Sequence, residues 1–126
     1  MAEAFEVRAV AKYIQITPQK ARLVVDAVRG MNAVDALDHL RFIPNKAAEP
    51  VYKLIQSAVA NAEENYGLEM EDLYVSKIFV DDGPRHRLRP YGGRFGSRGR
   101  FKPIMKRSCH ITAILAERED VYDYEY

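Results

Sequence analysis

The sequence contains no tryptophan, one cysteine and, from Gly83 to His110, 28 consecutive residues without a single aspartate or glutamate. The missing tryptophan excludes nothing. The lone Cys109 excludes an internal disulfide, and with His39, His86 and His110 scattered around it there is no zinc-ligand spacing, so neither a structural metal nor a cofactor is expected. No apolar run approaches the ~18 residues of a membrane span, and the opening MAEAFEVRAV lacks a cationic stretch followed by an apolar one. The expectation is a soluble intracellular protein with no membrane span.

Catalytic material is also scarce. Asp81 and Asp82 stand near His86 as candidate metal carboxylates, but neighbouring strand residues point to opposite faces, so only one could address a given ion. Ser108, Cys109 and His110 are adjacent in sequence, which is not how a nucleophile and its base are arranged in space. The glycines of the stretch GGRFGSRGRF have no Gly-Lys-Ser or Gly-Lys-Thr ending and no helix after them, which excludes a nucleotide loop. An enzyme is not expected.

What the acid-free stretch does hold is nine cations: Arg85, Arg87, Arg89, Arg94, Arg98, Arg100, Lys102, Lys106 and Arg107. The whole chain is near neutral, at +1 from 19 basic and 18 acidic residues, which leaves 10 basic against 18 acidic outside the stretch. Charge is segregated, and a dense cationic segment on a mildly acidic body implies contact with a polyanion. Most of these cations are arginines, whose planar guanidinium forks phosphate oxygens and stacks on bases, so nucleic acid is the favoured polyanion. Tyr91, Phe95 and Phe101 interleave as stacking surfaces, while Gly92, Gly93, Gly96 and Gly99 permit close backbone approach. The plain alternative is a solvated charged loop. Arg8, Lys12, Lys20 and Arg22 form a weaker second basic set that could equally be ordinary surface charge; Lys20 and Arg22 near a helix start oppose the helix dipole, which a bound phosphate would relieve.

At 126 residues, 48% apolar and 29% charged, the chain suits one globular domain. Phe5, Val7, Ala9, Ala11 and Tyr13 alternate with polar residues and predict a half-buried strand over 5–13. Thr17-Pro18 offers a capping hydroxyl and a proline at the first helical position, and Ala21, Val24, Val25 and Val28 predict a helix over 18–29 stopped by Gly30. Asn32 can cap a second helix bearing Ala33, Ala36, Leu37 and Leu40. Val51, Leu54, Ile55, Ala58, Val59 and Ala62, a pattern of about three turns running to Asn65 and Gly67, predict a third helix that begins around Ala48 or tolerates Pro50 in its opening turns. LYVSKIFV, 73–80, reads as a strand buried for much of its length, and 111–115 as its partner. A structureless loop of 28 residues between them would be unusual in a small domain. Both strands are therefore expected to continue outward as a two-stranded arm of about 14 residues a side, reaching roughly 45 Å and ordered mainly by its partner. Residues 118–126 read as an acidic, tyrosine-rich tail.

Four stretches together carry a family likeness: ITPQKARLVVDAVRG from Ile16, SAVANAEENYGL from Ser57, LYVSKIFVDDGP from Leu73 and KRSCHITAIL from Lys106. In order and spacing over residues 5–117 the chain resembles the bacterial large-subunit ribosomal protein L twenty-two family. That resemblance implies an α+β fold, three helices packed on a three-stranded antiparallel sheet with a long projecting β-hairpin. It divides the chain into one domain, 1–117, with a globular body (residues 1–82 and 110–117) and a hairpin arm (83–109). It further implies a structural constituent of the large subunit that binds large-subunit rRNA, joins rRNA domains during assembly and lines the polypeptide exit tunnel. Its partners would be that rRNA, neighbouring large-subunit proteins and the nascent polypeptide, in a cytoplasmic, ribosome-bound setting. Carried over, Arg85, Arg87, Arg89, Arg100, Lys102, Lys106 and Arg107 would hold the arm on rRNA, and Arg8, Lys12, Lys20 and Arg22 would dock the globular end. Tyr91, Gly92, Gly93, Arg94, Phe95, Gly96, Ser97 and Arg98 would be the tunnel-facing tip, although this glycine-rich tip departs from the family's usual pattern. The chain also has Ser108 and Cys109 where threonine and serine are common, and a tail beyond the usual end. Two other readings compete: a free RNA-binding protein with a disordered Arg/Gly-rich segment, and a metal-dependent nuclease using Asp81 and His86. Neither accounts for the four stretches.

Overall fold

The computed structural model describes residues 6–87, 93–95, 101–103 and 105–117. Phe5, the acidic tail, and Arg89, Tyr91, Gly92, Gly96, Ser97, Arg98 and Arg100 of the expected site lie outside the described residues. Chain order is strand β1 (Glu6–Ile14), helices α1 (Pro18–Val28), α2 (Ala33–Arg41) and α3 (Ala48–Tyr66), a single 3-10 turn (Met70–Asp72), strand β2 (Leu73–Asp82), short strands β3 (His86–Arg87), β4 (Gly93–Phe95), β5 (Phe101–Pro103) and β6 (Met105–Lys106), and strand β7 (Cys109–Glu117).

Three helices pack on one face of a three-stranded antiparallel sheet of order β1-β7-β2, the expected α+β arrangement. β7 is the central strand, which explains a burial pattern that alternation alone would not give: Cys109, Ile111, Thr112, Ala113, Leu115 and Ala116 are all buried. Across the helix-facing side run the rows Val7–Leu115–Val75, Ala9–Ala113–Ile78 and Ala11–Ile111–Val80. Against them sit Ala21, Val24, Val25 and Val28 of α1, Leu37 and Leu40 of α2, and Val51, Leu54, Ile55, Ala58 and Val59 of α3. Burying the valine, leucine and isoleucine side chains among them stabilises by roughly 1.5–3 kcal/mol each before the chain entropy is counted.

Several local expectations are corrected. Tyr13, expected on the apolar face, is 60% exposed with a φ of 58°, because the register with β7 shifts between Ala11 and Ile14 and the bulge turns it outward. β2 is buried at Leu73, Val75, Ile78 and Val80. It alternates, with Lys77 and Phe79 exposed, after its own register shift between Val75 and Lys77. α1 ends at Val28 rather than Arg29, whose extended ψ of 129° starts the turn through Gly30. Thr17 and Asn32 occupy N-cap positions but neither side chain makes a capping hydrogen bond; the backbone of Asn32 instead forms a bridge to Tyr74. α3 runs for 19 residues from Ala48 to Tyr66, as expected, with Pro50 in its first turn where no intrahelical donor is missed. Gly67, at φ 66°, closes it, with N–H groups of Gly67 and Leu68 on the carbonyls of Glu63 and Ala62.

The outer edge of β2 is sealed from within the fold. Gly30 N–H donates to the Val75 carbonyl at 3.0 Å and Val75 N–H to the Met31 carbonyl at 2.8 Å. Farther along, Arg29 Nη2 donates to the Ile78 carbonyl at 2.8 Å and Arg22 Nη2 to that of Val80 at 3.1 Å. Edge carbonyls that could recruit another strand are thereby occupied.

β2 and β7 lead directly into the acid-free stretch. Gly83 N–H donates to the Ser108 carbonyl at 3.0 Å, adding a rung past Asp82↔Cys109. Beyond it, His86 pairs with Lys106 and Arg87 with Met105, then Gly93 with Pro103, Arg94 with Lys102 and Phe95 with Phe101, all antiparallel. The pairings are those of a hairpin, but the two short ladders do not share one register: five residues separate Arg87 from Gly93 and one separates Pro103 from Met105.

At the root, a Cβ on Gly83 would fall 2.6 Å from Ser108 Oγ and 3.1 Å from its carbonyl carbon. Ser108 is buried and donates to the Pro84 carbonyl at 2.7 Å, so it cannot simply move aside. Gly83→Ala is expected to destabilise the chain by about 1–3 kcal/mol in urea denaturation. The pair Gly83→Ala with Ser108→Ala should cost less than the sum of the single changes.

Candidate nucleic-acid interface

The residues at the base of the arm are committed to structure. Ser108 Oγ donates to Pro84, and His110 Nδ1 accepts the Tyr13 N–H at 3.0 Å while the two rings meet edge to face with centroids 4.9 Å apart. Cys109 is fully buried, and burial pushes its thiol pKa up, opposed by nearby Arg22 and reinforced by Asp82. A raised pKa leaves less thiolate, the reactive form. Asp82 faces Arg107 at 3.5 Å, with both side chains substantially exposed, so the pair contributes little by itself. Among the described residues no group of His, Cys, Asp and Glu could hold a metal ion.

Beside this root lies a cleft of about 700 Å³. Three separate segments wall it: the start of α1 with Ile16, Thr17, Lys20 and Leu23, the turn before α3 with Asn45 and Lys46, and the arm's returning leg with Lys106 and Arg107. The fold brings them together because α1 packs on β2 while β7 runs back along β2, placing Lys106 and Arg107 near the first turn of α1. No aspartate or glutamate lines the cleft. Among the described residues Lys20, Lys46 and Lys106 have no ion-pair partner; the nearby Glu49 pairs with Lys53 at 3.2 Å instead. Three lysines converging without counter-charge repel one another and favour an anion between them.

Comparisons with known proteins identify the family. The family model described as ribosomal protein L22p/L17e matches residues 9–116. The chain belongs to that family. A large ribosomal subunit protein uL22 from Desulfitobacterium hafniense (strain Y51) is 45% identical over 116 residues, covering 91% of this chain and 97% of the relative. Another, from Thermotoga sp. (strain RQ2), is 46% identical over 120 residues, covering 94% of this chain and 72% of the relative. The L22 family is one of large-subunit ribosomal proteins, a structural class and not an enzyme class.

Of the residues expected to form the site, Lys20, Lys106 and Arg107 meet at the cleft. Arg85 is exposed just beyond the root, and Arg87, Gly93, Arg94, Phe95 and Lys102 are placed by their backbones on the paired strands. Arg8 and Lys12 are exposed on β1, with Arg8 beside Ile114 on the sheet face away from the helices, and they do not join the cleft. Arg22 has a structural duty on the Val80 carbonyl. Lys46 was missed: a single lysine in a turn carries no sequence signal, and only the packing of α3 beside α1 reveals it. No helix among the described residues is long and apolar enough to cross a membrane.

A buried thiol of raised pKa should resist modification. Native protein treated with a thiol-specific disulfide reagent at pH 8 is expected to leave Cys109 unmodified over minutes, with stoichiometric reaction once denaturant is added; rapid native reaction would contradict its burial.

Proposed function

We propose that this chain is an rRNA-binding structural component of the large ribosomal subunit whose arm joins rRNA domains during assembly and whose tip lines the polypeptide exit tunnel. The observation that carries the reading is the acid-free, nine-cation stretch built as an extension of the β2–β7 pair, with the cation-lined cleft at its root. The large-subunit identity of the uL22 relatives supports rRNA as the polyanion.

The mechanism is electrostatic and geometric. Packed rRNA domains bring phosphates together, and an arm carrying cations without acids lowers that repulsion while the globular end fixes where the arm starts. Arg85, Arg87, Arg89, Arg100, Lys102, Lys106 and Arg107 hold the arm on phosphates, and Arg8, Lys12 and Lys20 dock the globular end, with Arg22 adding only the donors it does not spend on the Val80 carbonyl. Residues 91–98 face the nascent polypeptide. Recognition is of RNA shape more than of base sequence, because side chains cannot read the deep major groove of an A-form duplex. The globular body (residues 1–82 and 110–117), the arm (83–109) and the tail (118–126) act as distinct regions of one protein, in the cytoplasm and bound to the ribosome, beside neighbouring large-subunit proteins.

Charge reversal at Arg87, Arg89 and Arg100 together is expected to abolish co-sedimentation with the large subunit after a high-salt wash, while the isolated variant keeps the circular dichroism and melting temperature of the parent within a few degrees. Retained incorporation would refute the docking role of the arm. A parent protein found only in the soluble fraction of its native lysate would refute the ribosomal reading and favour a free RNA-binding protein.

A further inference from the structure

We propose that the cleft at the arm's root holds one unpaired nucleotide of a single-stranded RNA segment, with its phosphate on Lys20, Lys46 and Lys106 and its base on Leu23 and Ile16. This rests on the rRNA-binding reading and gives one region of that surface a specific ligand class.

Three features of the cleft support a nucleotide over a bare phosphate ridge. Charge comes first: the cations arrive from three chain segments, no acid lines the cleft, and an anion is the complementary occupant. Shape comes second. At about 700 Å³ the cleft has the size of a small-ligand pocket, with room for far more than a phosphate oxygen. Chemistry comes third: Leu23 is 65% exposed on α1 and turns into the same cleft as Ile16 and Ala47, beside the cations. An isolated exposed leucine means little. A leucine between cations does mean something, because a phosphate pressed against it would lose water without gaining a partner, whereas the flat face of a base would cover it.

An exposed leucine beside cations fits single strand better than duplex. In an A-form helix the bases are stacked inside and offer phosphates and 2′-hydroxyls, while unstacked bases of loops and bulges can be splayed onto a protein surface. Thr17 fits this use: it lines the cleft, and its hydroxyl makes no capping bond to α1.

The test uses the full-length chain, isotope-labelled for methyl and amide NMR, titrated with a single-stranded oligoadenylate dodecamer and separately with a blunt RNA duplex of equal length. The single strand is expected to shift the Leu23 and Ile16 methyl signals, and the duplex to leave them in place while moving signals of the arm. Leu23→Ala, at an exposed position that does not support the core, should weaken the single strand roughly threefold to tenfold and leave duplex affinity nearly unchanged. Lys46→Ala should likewise weaken the single strand and leave duplex affinity nearly unchanged. Leu23 signals that stay fixed with the single strand, or that move equally with both RNAs, overturn the nucleotide pocket while leaving rRNA binding intact. Failure of the chain to bind either RNA overturns both readings.

Discussion

The antiparallel pairing of β2 with β7, from Leu73↔Glu117 to Asp82↔Cys109, is the interaction on which the rest of the structure depends. It holds the two legs of the arm side by side as they leave the sheet. It also makes β7 the central strand, since β1 adds to its other edge. The helices then need only cover one side. α1 does so while it lends Arg22, and the turn after it lends Arg29, to the free edge of β2, so the segment that fills the core also stops the sheet from growing. Gly83 and Ser108 are the point where the packed sheet becomes an arm, and their close fit leaves no room for a side chain.

Past that point the physics changes. A two-stranded ribbon buries almost nothing of its own, and nine cations without an acid cannot neutralise one another. The features that make the arm a poor independent structure make it a good counter-ion for RNA. Segregating this charge from a body with 10 basic and 18 acidic residues lets one chain carry a conventional core and a strongly cationic extension at near-neutral net charge. The cleft is where the two regimes meet: Lys106 and Arg107 belong to the arm, Lys20 and Lys46 to the body, and an anion between them would tie the arm's direction to the globular fold.

Much of the fold was legible in the sequence. Helical spacing of apolar residues located α1, α2 and α3, because a helix packed on a sheet must present one continuous stripe. The β-branched run at 73–80 and the HITAIL run located β2 and β7. What escaped was set by tertiary context. Tyr13 follows the period-two pattern, yet a bulge that donates its N–H to His110 turns it out. Thr17 and Asn32 have capping chemistry, but Thr17 opens onto the cleft and the backbone of Asn32 is drawn to Tyr74. For the interface, the charge run identified the arm because it is contiguous in sequence. The cleft was only half visible: Lys20 was legible from its place at a helix start, while Lys46 sits alone in a turn and Arg22, which looks like a docking cation, is engaged by the Val80 carbonyl. A site assembled from three distant segments leaves no local pattern to read.

The central claim, that binding is dominated by arm cations displacing counter-ions from RNA phosphates, is tested most directly by the salt dependence of affinity for large-subunit rRNA. With about 6 to 9 phosphate contacts, a plot of log affinity against log salt concentration should have a slope between roughly −4 and −8, and neutralising three arm arginines should make it shallower by about two to three. A slope near zero, or one unchanged when those arginines are neutralised, would contradict the account.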